Sequence, residues 1–248
     1  MQYGNYGNEA ASQSGALAPS TVAFLKRVYG LFTASIVCSA IGATIALTAG
    51  ADVSRVSAGT VAIPPLVYFF AKNWWAGALL MLGTVFGASA VRHKPGINVV
   101  ALFGMATVVG AVIAPAIFLA QLAAQDGGTL SPAPVRDAFL LATAGFTGLT
   151  GYALTTQRDF SYLGGALTMG LFVVIGAGLL NFFVGSSALG LAIASVSVLL
   201  FGAFILYDTS RILRSGERDA VGAAISLYLN FLNLFLALLR LLGGRRGD

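Results

Sequence analysis

The sequence predicts an all-α integral membrane protein with seven transmembrane helices, and three features carry that prediction. Only 9% of the 248 residues are charged, where a soluble domain carries about 25%. Apolar residues make up 57% and the mean hydropathy is +0.86, a balance that a large soluble core does not produce. The few charges also fall between uncharged runs close to the ~20 residues needed to cross a bilayer. Thirty-one glycines fit the same class, since small residues let membrane helices approach closely.

Taken in order, Met1–Ser20 is rich in Tyr, Gly, Asn, Gln, Ser and Ala, with Glu9 as its one charge. It lacks the basic start and apolar core of a signal peptide and is expected to be a disordered tail. Val28–Ala51 follows Lys26 and Arg27 and makes the first helix. Val56–Ala71 is shorter and broken by Pro64-Pro65, so it is read as an interfacial or re-entrant segment. Asn73–Val91 is the second helix, with Trp74 and Trp75 as interfacial anchors. Arg92, His93, Lys94 and Pro95 end it. The third lies within Gly96–Ala124, with a kink or break expected at Pro115. After a polar loop, Gln125–Pro134, Val135–Thr156 gives the fourth. The charge-free run Phe160–Tyr207 is long enough for two spans, Leu163–Val184 and Ala188–Leu213, turning at Asn181–Ser187. Ala220–Leu242 is the seventh. The chain thus divides into a tail (residues 1–20), a membrane domain (21–243) and a basic carboxy-terminal tail (244–248).

The net charge of +5 is dispersed among short loops rather than gathered on a face, so it does not indicate nucleic acid. It is read instead as a determinant of topology. With the amino terminus in the cytoplasm, Lys26, Arg27, Arg92, Lys94, Arg158, Arg211, Arg214 and Arg218 lie inside. Arg55, Lys72, Arg136, Arg240, Arg245 and Arg246 lie outside. Early segments dominate orientation, which favours an inside amino terminus although the carboxy-terminal tail opposes it.

Several chemistries are disfavoured. A retinal Schiff base needs a lysine in a late helix, and the only lysines are Lys26, Lys72 and Lys94. An intramembrane serine protease needs an embedded base, whereas the sole histidine, His93, sits in a basic boundary turn. The spans hold no His, Cys, Asp or Glu cluster for a metal. Cys38 is the single cysteine, and a packed thiol is its expected role. No enzymatic activity and no cofactor are expected.

What remains is the helix pair around Leu206–Asn233. Asp208 continues an apolar helix, where an acid costs ~2.5–3.5 kcal/mol at a span centre and normally faces protein or a water-filled cavity. Its spacing to Arg211 leaves two readings open: an i,i+3 ion pair at the headgroups, or a functional carboxylate inside the bundle. Asn230 and Asn233 lie inside the last apolar run. They are either amides bonding neighbouring helices or part of the same site. Ala223, Ser226, Asn230, Asn233 and Ala237 share one helical face, with Leu229, Leu232, Leu236 and Leu239 on the other. Gly83 and Gly87, and Ala106, Gly110 and Ala114, are read as helix-packing positions.

Phe204-Ile205-Leu206-Tyr207-Asp208-Thr209-Ser210-Arg211-Ile212, Ser226-Leu227-Tyr228-Leu229-Asn230-Phe231-Leu232-Asn233-Leu234-Phe235 and Leu238-Leu239-Arg240-Leu241-Leu242-Gly243 resemble the signature of the Bax inhibitor-1 family, in its bacterial branch. Thr155–Gly165 is similar to that family's junction between the fourth and fifth helices, and the Pro64-Pro65 region looks like an insertion. The resemblance covers about Phe24 to Gly243. It implies seven helices with the carboxy-terminal helix central. It also implies a role in pH-dependent calcium leak or, in some bacterial members, regulation of a membrane-anchored quality-control protease.

In the leak mechanism the resemblance implies, an acid on the sixth helix shares a proton with an acid on the seventh, and an arginine ending the second helix engages the first acid. Asp208 matches the first acid and Arg92 the arginine; Asn230 stands where the second acid would be. Two adjacent carboxylates titrate jointly because both cannot ionise together. An amide donates a hydrogen bond but cannot repel. A blunted or absent acid–acid proton sensor is therefore expected, with Asp208 held by Arg92 or Arg211 and with Asn230 as donor. Calcium would be a permeant ion meeting Asp208 as a weak, transient contact, since it prefers 6–8 oxygen ligands. Asn233 is a further candidate ion-facing group. The competing expectation is a non-transporting regulator that binds membrane proteins or a membrane protease. Membrane lipid is the expected surrounding, and the bacterial inner membrane the expected location.

Overall fold

The computed structural model describes residues 19–50, 63–124, 130–156, 158–214 and 219–243. Residues 1–18, 51–62, 125–129, 157, 215–218 and 244–248 lie outside the described residues, and with them the first seven positions of the Val56–Ala71 segment. Nine α-helices and no strands occur among the described residues: α1 Pro19–Thr48, α2 Pro65–Lys72, α3 Trp74–Ala90, α4 Ile97–Val112, α5 Ala114–Ala123, α6 Ala133–Thr155, α7 Gly164–Val184, α8 Ser187–Arg214 and α9 Ala220–Gly243. A one-turn 3-10 helix, Ser161–Leu163, leads into α7.

Helix α1 starts at Pro19, nine residues ahead of Val28 and inside the segment assigned to the tail. Proline in a first turn gives up an N–H that has no helical partner there. At 30 residues, or about 45 Å, α1 overruns the ~30 Å hydrocarbon layer. Lys26 and Arg27 therefore sit exposed on the helix rather than before it. Helix α2 has eight residues, about 12 Å, too short to cross. The third span breaks at Ile113, where Pro115 enters the first turn of α5 and removes an N–H from the ladder. Together α4 and α5 make one 27-residue span.

By length and composition six helices can cross a membrane, counting α4–α5 as one, and Trp74–Ala90 is a seventh, shorter apolar helix of 17 residues. The central one is α9. Of its apolar stretch 72% is buried inside the bundle, against 11–44% for the other five long spans. It packs against α1, α6 and α8, and more lightly against α4 and α5. Leu232 and Leu239 are buried as Ala223 and Asn230 are, whereas Ser226, Leu229, Asn233 and Leu236 are only half-buried. The expected division into an enclosed polar face and an outward leucine face is corrected: the less buried stripe of the helix carries polar residues and leucines alike.

Backbone contact joins α1 to α4. A Cβ built on Gly42 would collide with the Thr107 carbonyl, and one on Gly110 with the Ser39 carbonyl. Tyr228 of α9 closes this crossing by donating from Oη to Ser39 Oγ at 3.0 Å. Ala106 and Ala114 are fully buried, as their spacing predicts. Gly83 and Gly87 are corrected: a Cβ on either meets nothing within 4 Å, because their side of α3 has no neighbouring helix there. Asp137 is an acid inside a helix besides Asp208. It sits near the start of α6, exposed, 2.9 Å from Arg136.

Candidate functional site

Helices α8 and α9 form an antiparallel pair, and Asp208 and Asn230 meet where they face one another. Asp208 lies six residues before the end of α8 and Asn230 ten residues after the start of α9, about 9 and 15 Å along the axes. Both lie inside protein, 4% and 8% exposed. Asn230 Nδ2 donates to Asp208 Oδ2 at 2.7 Å, and Arg211 Nη2 lies 3.7 Å from Asp208 Oδ1. The i,i+3 pair with Arg211 exists, and the carboxylate lies inside the bundle. A short charge-assisted bond of this kind is roughly twice as strong as a neutral one.

Three hydroxyls from three helices surround this pair. Tyr29 of α1 points its oxygen toward Thr209 of α8 and Thr150 of α6, with Asp208 nearby. All three oxygens are buried and face one another. Asp208 therefore has buried hydroxyl groups in its neighbourhood. The sequence reading missed these hydroxyls, because isolated Thr and Tyr residues in separate spans carry no spacing signal.

The neighbouring Ser210 fastens the α6–α7 junction onto α8. Its Oγ donates to Asp159 Oδ1 at 3.0 Å and accepts the Phe160 N–H at 3.0 Å. Arg214 reaches the carbonyls of Arg158 and Thr156 at 2.8 and 3.3 Å. The Ser161 backbone N–H and hydroxyl, then Ser210 and Arg214, hold the Asp159 carboxyl below the usual carboxylate range. This is the segment Thr155–Gly165 singled out by motif, and the structure shows why it runs as it does: it clasps the end of α8 that carries Asp208.

Arg92 stands elsewhere. Its Nε lies 3.2 Å from Asp219 Oδ2, with His93 Nδ1 3.7 Å from the same oxygen. Asp219 in turn caps α9, its Oδ1 accepting the Gly222 N–H at 2.9 Å. An acid at a helix N-terminus is stabilised by the dipole, and Asp219 sits at the mouth of the bundle within reach of a boundary arginine, whereas Asp208 lies along the helix inside it. The expected Arg92–Asp208 engagement is replaced by an Arg92–Asp219 clasp between α3 and α9. Asn233 is also separate. It donates to the Leu229 carbonyl at 2.8 Å and lines a 500 Å³ cavity among α3, α7, α8 and α9. That cavity ends at Phe201 and Leu229 without Asp208 among its walls. Of the five residues singled out by sequence, the structure brings together Asp208, Asn230 and Arg211.

Residues 21–247 match the family described as inhibitor of apoptosis-promoting Bax1. The chain is 36% identical to an uncharacterized membrane protein of Vibrio cholerae over 88% of each chain. It is 32% identical to protein lifeguard 4 of Mus musculus, over 96% of this chain and 90% of that one. A Golgi anti-apoptotic protein of vaccinia virus strain Lister is likewise 32% identical, over 96% of this chain and 91% of the viral one.

Proposed function

The chain belongs to the family of inhibitors of apoptosis-promoting Bax1, and from that premise we propose that it is a cation leak or ion-homeostasis protein of the bacterial inner membrane, with Asp208 as its gating carboxylate. The observation that carries this reading is the 2.7 Å bond from Asn230 to Asp208, buried between two long apolar helices. A carboxylate so deep is costly in a membrane protein and marks ion or proton pathways by default. The buried hydroxyls of Thr209, Thr150 and Tyr29 nearby are hard oxygens of the kind calcium takes, too few for a resident ion. With Asn230 and Arg211 on its two oxygens the site is closed, and opening requires α8 and α9 to part.

Calcium uptake by proteoliposomes containing the purified protein tests this. Asp208→Asn is expected to slow uptake about tenfold, the factor that ~1.4 kcal/mol of lost interaction represents. Uptake that is absent, or indifferent to Asp208→Asn, contradicts it. That outcome favours a non-transporting regulator, a reading supported by the end of the 500 Å³ cavity at Phe201 and Leu229. Co-purification of a membrane protease, lost on removing the first 20 residues, is the result expected of that regulator.

A further inference from the structure

The opposite end of the bundle carries a second feature, independent of Asp208. Arg240 is on the last turn of α9 and exposed. No acid lies within ion-pair distance of it among the described residues, whereas Arg92, Arg136, Arg211 and Arg214 each have one. Its guanidinium lies against Gly190 of α8, in space that any side chain would fill. The amide Nδ2 of Asn181, on α7, faces the same point, and Asn181 Oδ1 is buried without a hydrogen-bond partner among the described residues. Two helices therefore bring N–H groups together over Gly190, whose missing side chain gives the guanidinium its place.

Two apolar crevices meet at this guanidinium. One is the 500 Å³ cavity among α3, α7, α8 and α9; the other is a 360 Å³ cavity between α5 and α9. Arg240 and Leu236 line both. Trp74 of α3 packs on Phe182 of α7, ring centroids 5.1 Å apart, beside Asn181. Exposed Trp74 and Trp75 mark this end as an aromatic belt, the level at which headgroups lie. A cation at a helix C-terminus is favoured by the dipole, and an arginine fork fits a phosphate better than any other lipid group.

We propose that Arg240, Asn181 and the two crevices form a binding site for one diacyl phospholipid. The phosphodiester accepts hydrogen bonds from the Arg240 guanidinium and the Asn181 amide, and one acyl chain enters each crevice. Burying the chains gains nothing over bulk lipid, which is equally apolar. Selectivity therefore rests on the phosphate, and retention on the fit of both chains.

Native mass spectrometry of the full chain in detergent with phosphatidylglycerol is the test. One tightly retained lipid is expected, reduced about tenfold by Arg240→Gln, as loss of one charge-assisted contact implies. Gly190→Ala is expected to do the same with the charge kept, by displacing the guanidinium. Arg136→Gln, which removes a cation already paired, should change nothing. Equal retention by native protein and Arg240→Gln, or equal retention of a diacyl glycolipid without phosphate, overturns the proposal. Displacement of the lipid by millimolar glycerophosphate overturns it too, since the crevices would then be idle. Should Arg240→Gln fail to fold, quenching of Trp74 and Trp75 in the native protein by brominated-chain phosphatidylglycerol supplies the answer. Saturation at one lipid per chain supports the site, and a linear, unsaturable response overturns it.

Discussion

Asn230→Leu is expected to lower stability by about 2–4 kcal/mol, because it keeps the branched shape of the side chain but strips a buried charge of its closest donor. Arg211 stays 3.7 Å from the other carboxylate oxygen, which holds the loss below that of a fully abandoned ion. Asp208→Leu should cost less, about 1–3 kcal/mol, since the buried amide it leaves unsatisfied is neutral and the Arg211 it also releases is a third exposed and can be hydrated. The double variant Asp208→Leu/Asn230→Leu is expected to recover most of the loss, because an apolar pair of similar shape can replace a buried polar one nearly neutrally. Reversible unfolding in mixed micelles measures all three. A coupling energy near zero between the two positions would remove the 2.7 Å bond from the account of stability.

Gly110→Ala and Gly42→Ala are expected to cost about 3 kcal/mol each, the upper end for overpacking. At either position the new methyl meets the backbone oxygen of the partner helix, Ser39 or Thr107, not a side chain that can turn away. Helices α1 and α4 must separate, and the Tyr228–Ser39 hydrogen bond that ties α9 to this crossing lengthens with them. Gly83→Ala and Gly87→Ala provide the opposite sign. Nothing lies within 4 Å of the added methyl, and replacing glycine inside a helix gains up to ~1 kcal/mol. Thermal unfolding of the four variants side by side separates the two cases.

That contrast shows what the sequence can and cannot reveal. Spans were legible because lipid excludes charge, so long uncharged runs locate α6, α8 and α9, while Arg136, Asp208 and Arg240 lie toward the ends of the helices themselves. The start of α1 was not, because Lys26 and Arg27 mark where lipid ends rather than where the helix ends. Gly42 gave no more signal than Gly83, since composition does not say which side of a helix meets a neighbour. Asp208 and Asn230 were found because polar groups are expensive in apolar runs, and their contact follows from the antiparallel α8–α9 pair. The partner of Arg92 was misassigned because two acids, Asp208 and Asp219, lie eleven positions apart on either side of the α8–α9 connection. Only the fold distinguishes the deep one from the capping one.

An amide in place of a second acid is expected to fix Asp208 rather than let it exchange a proton with a neighbour. Calcium flux in liposomes between about pH 6 and 8, where paired carboxylates with raised pKa titrate, measures it directly. The native protein is predicted to respond weakly to pH, and Asn230→Asp steeply. A steep response in the native protein, unchanged in Asn230→Asp, would contradict the claim.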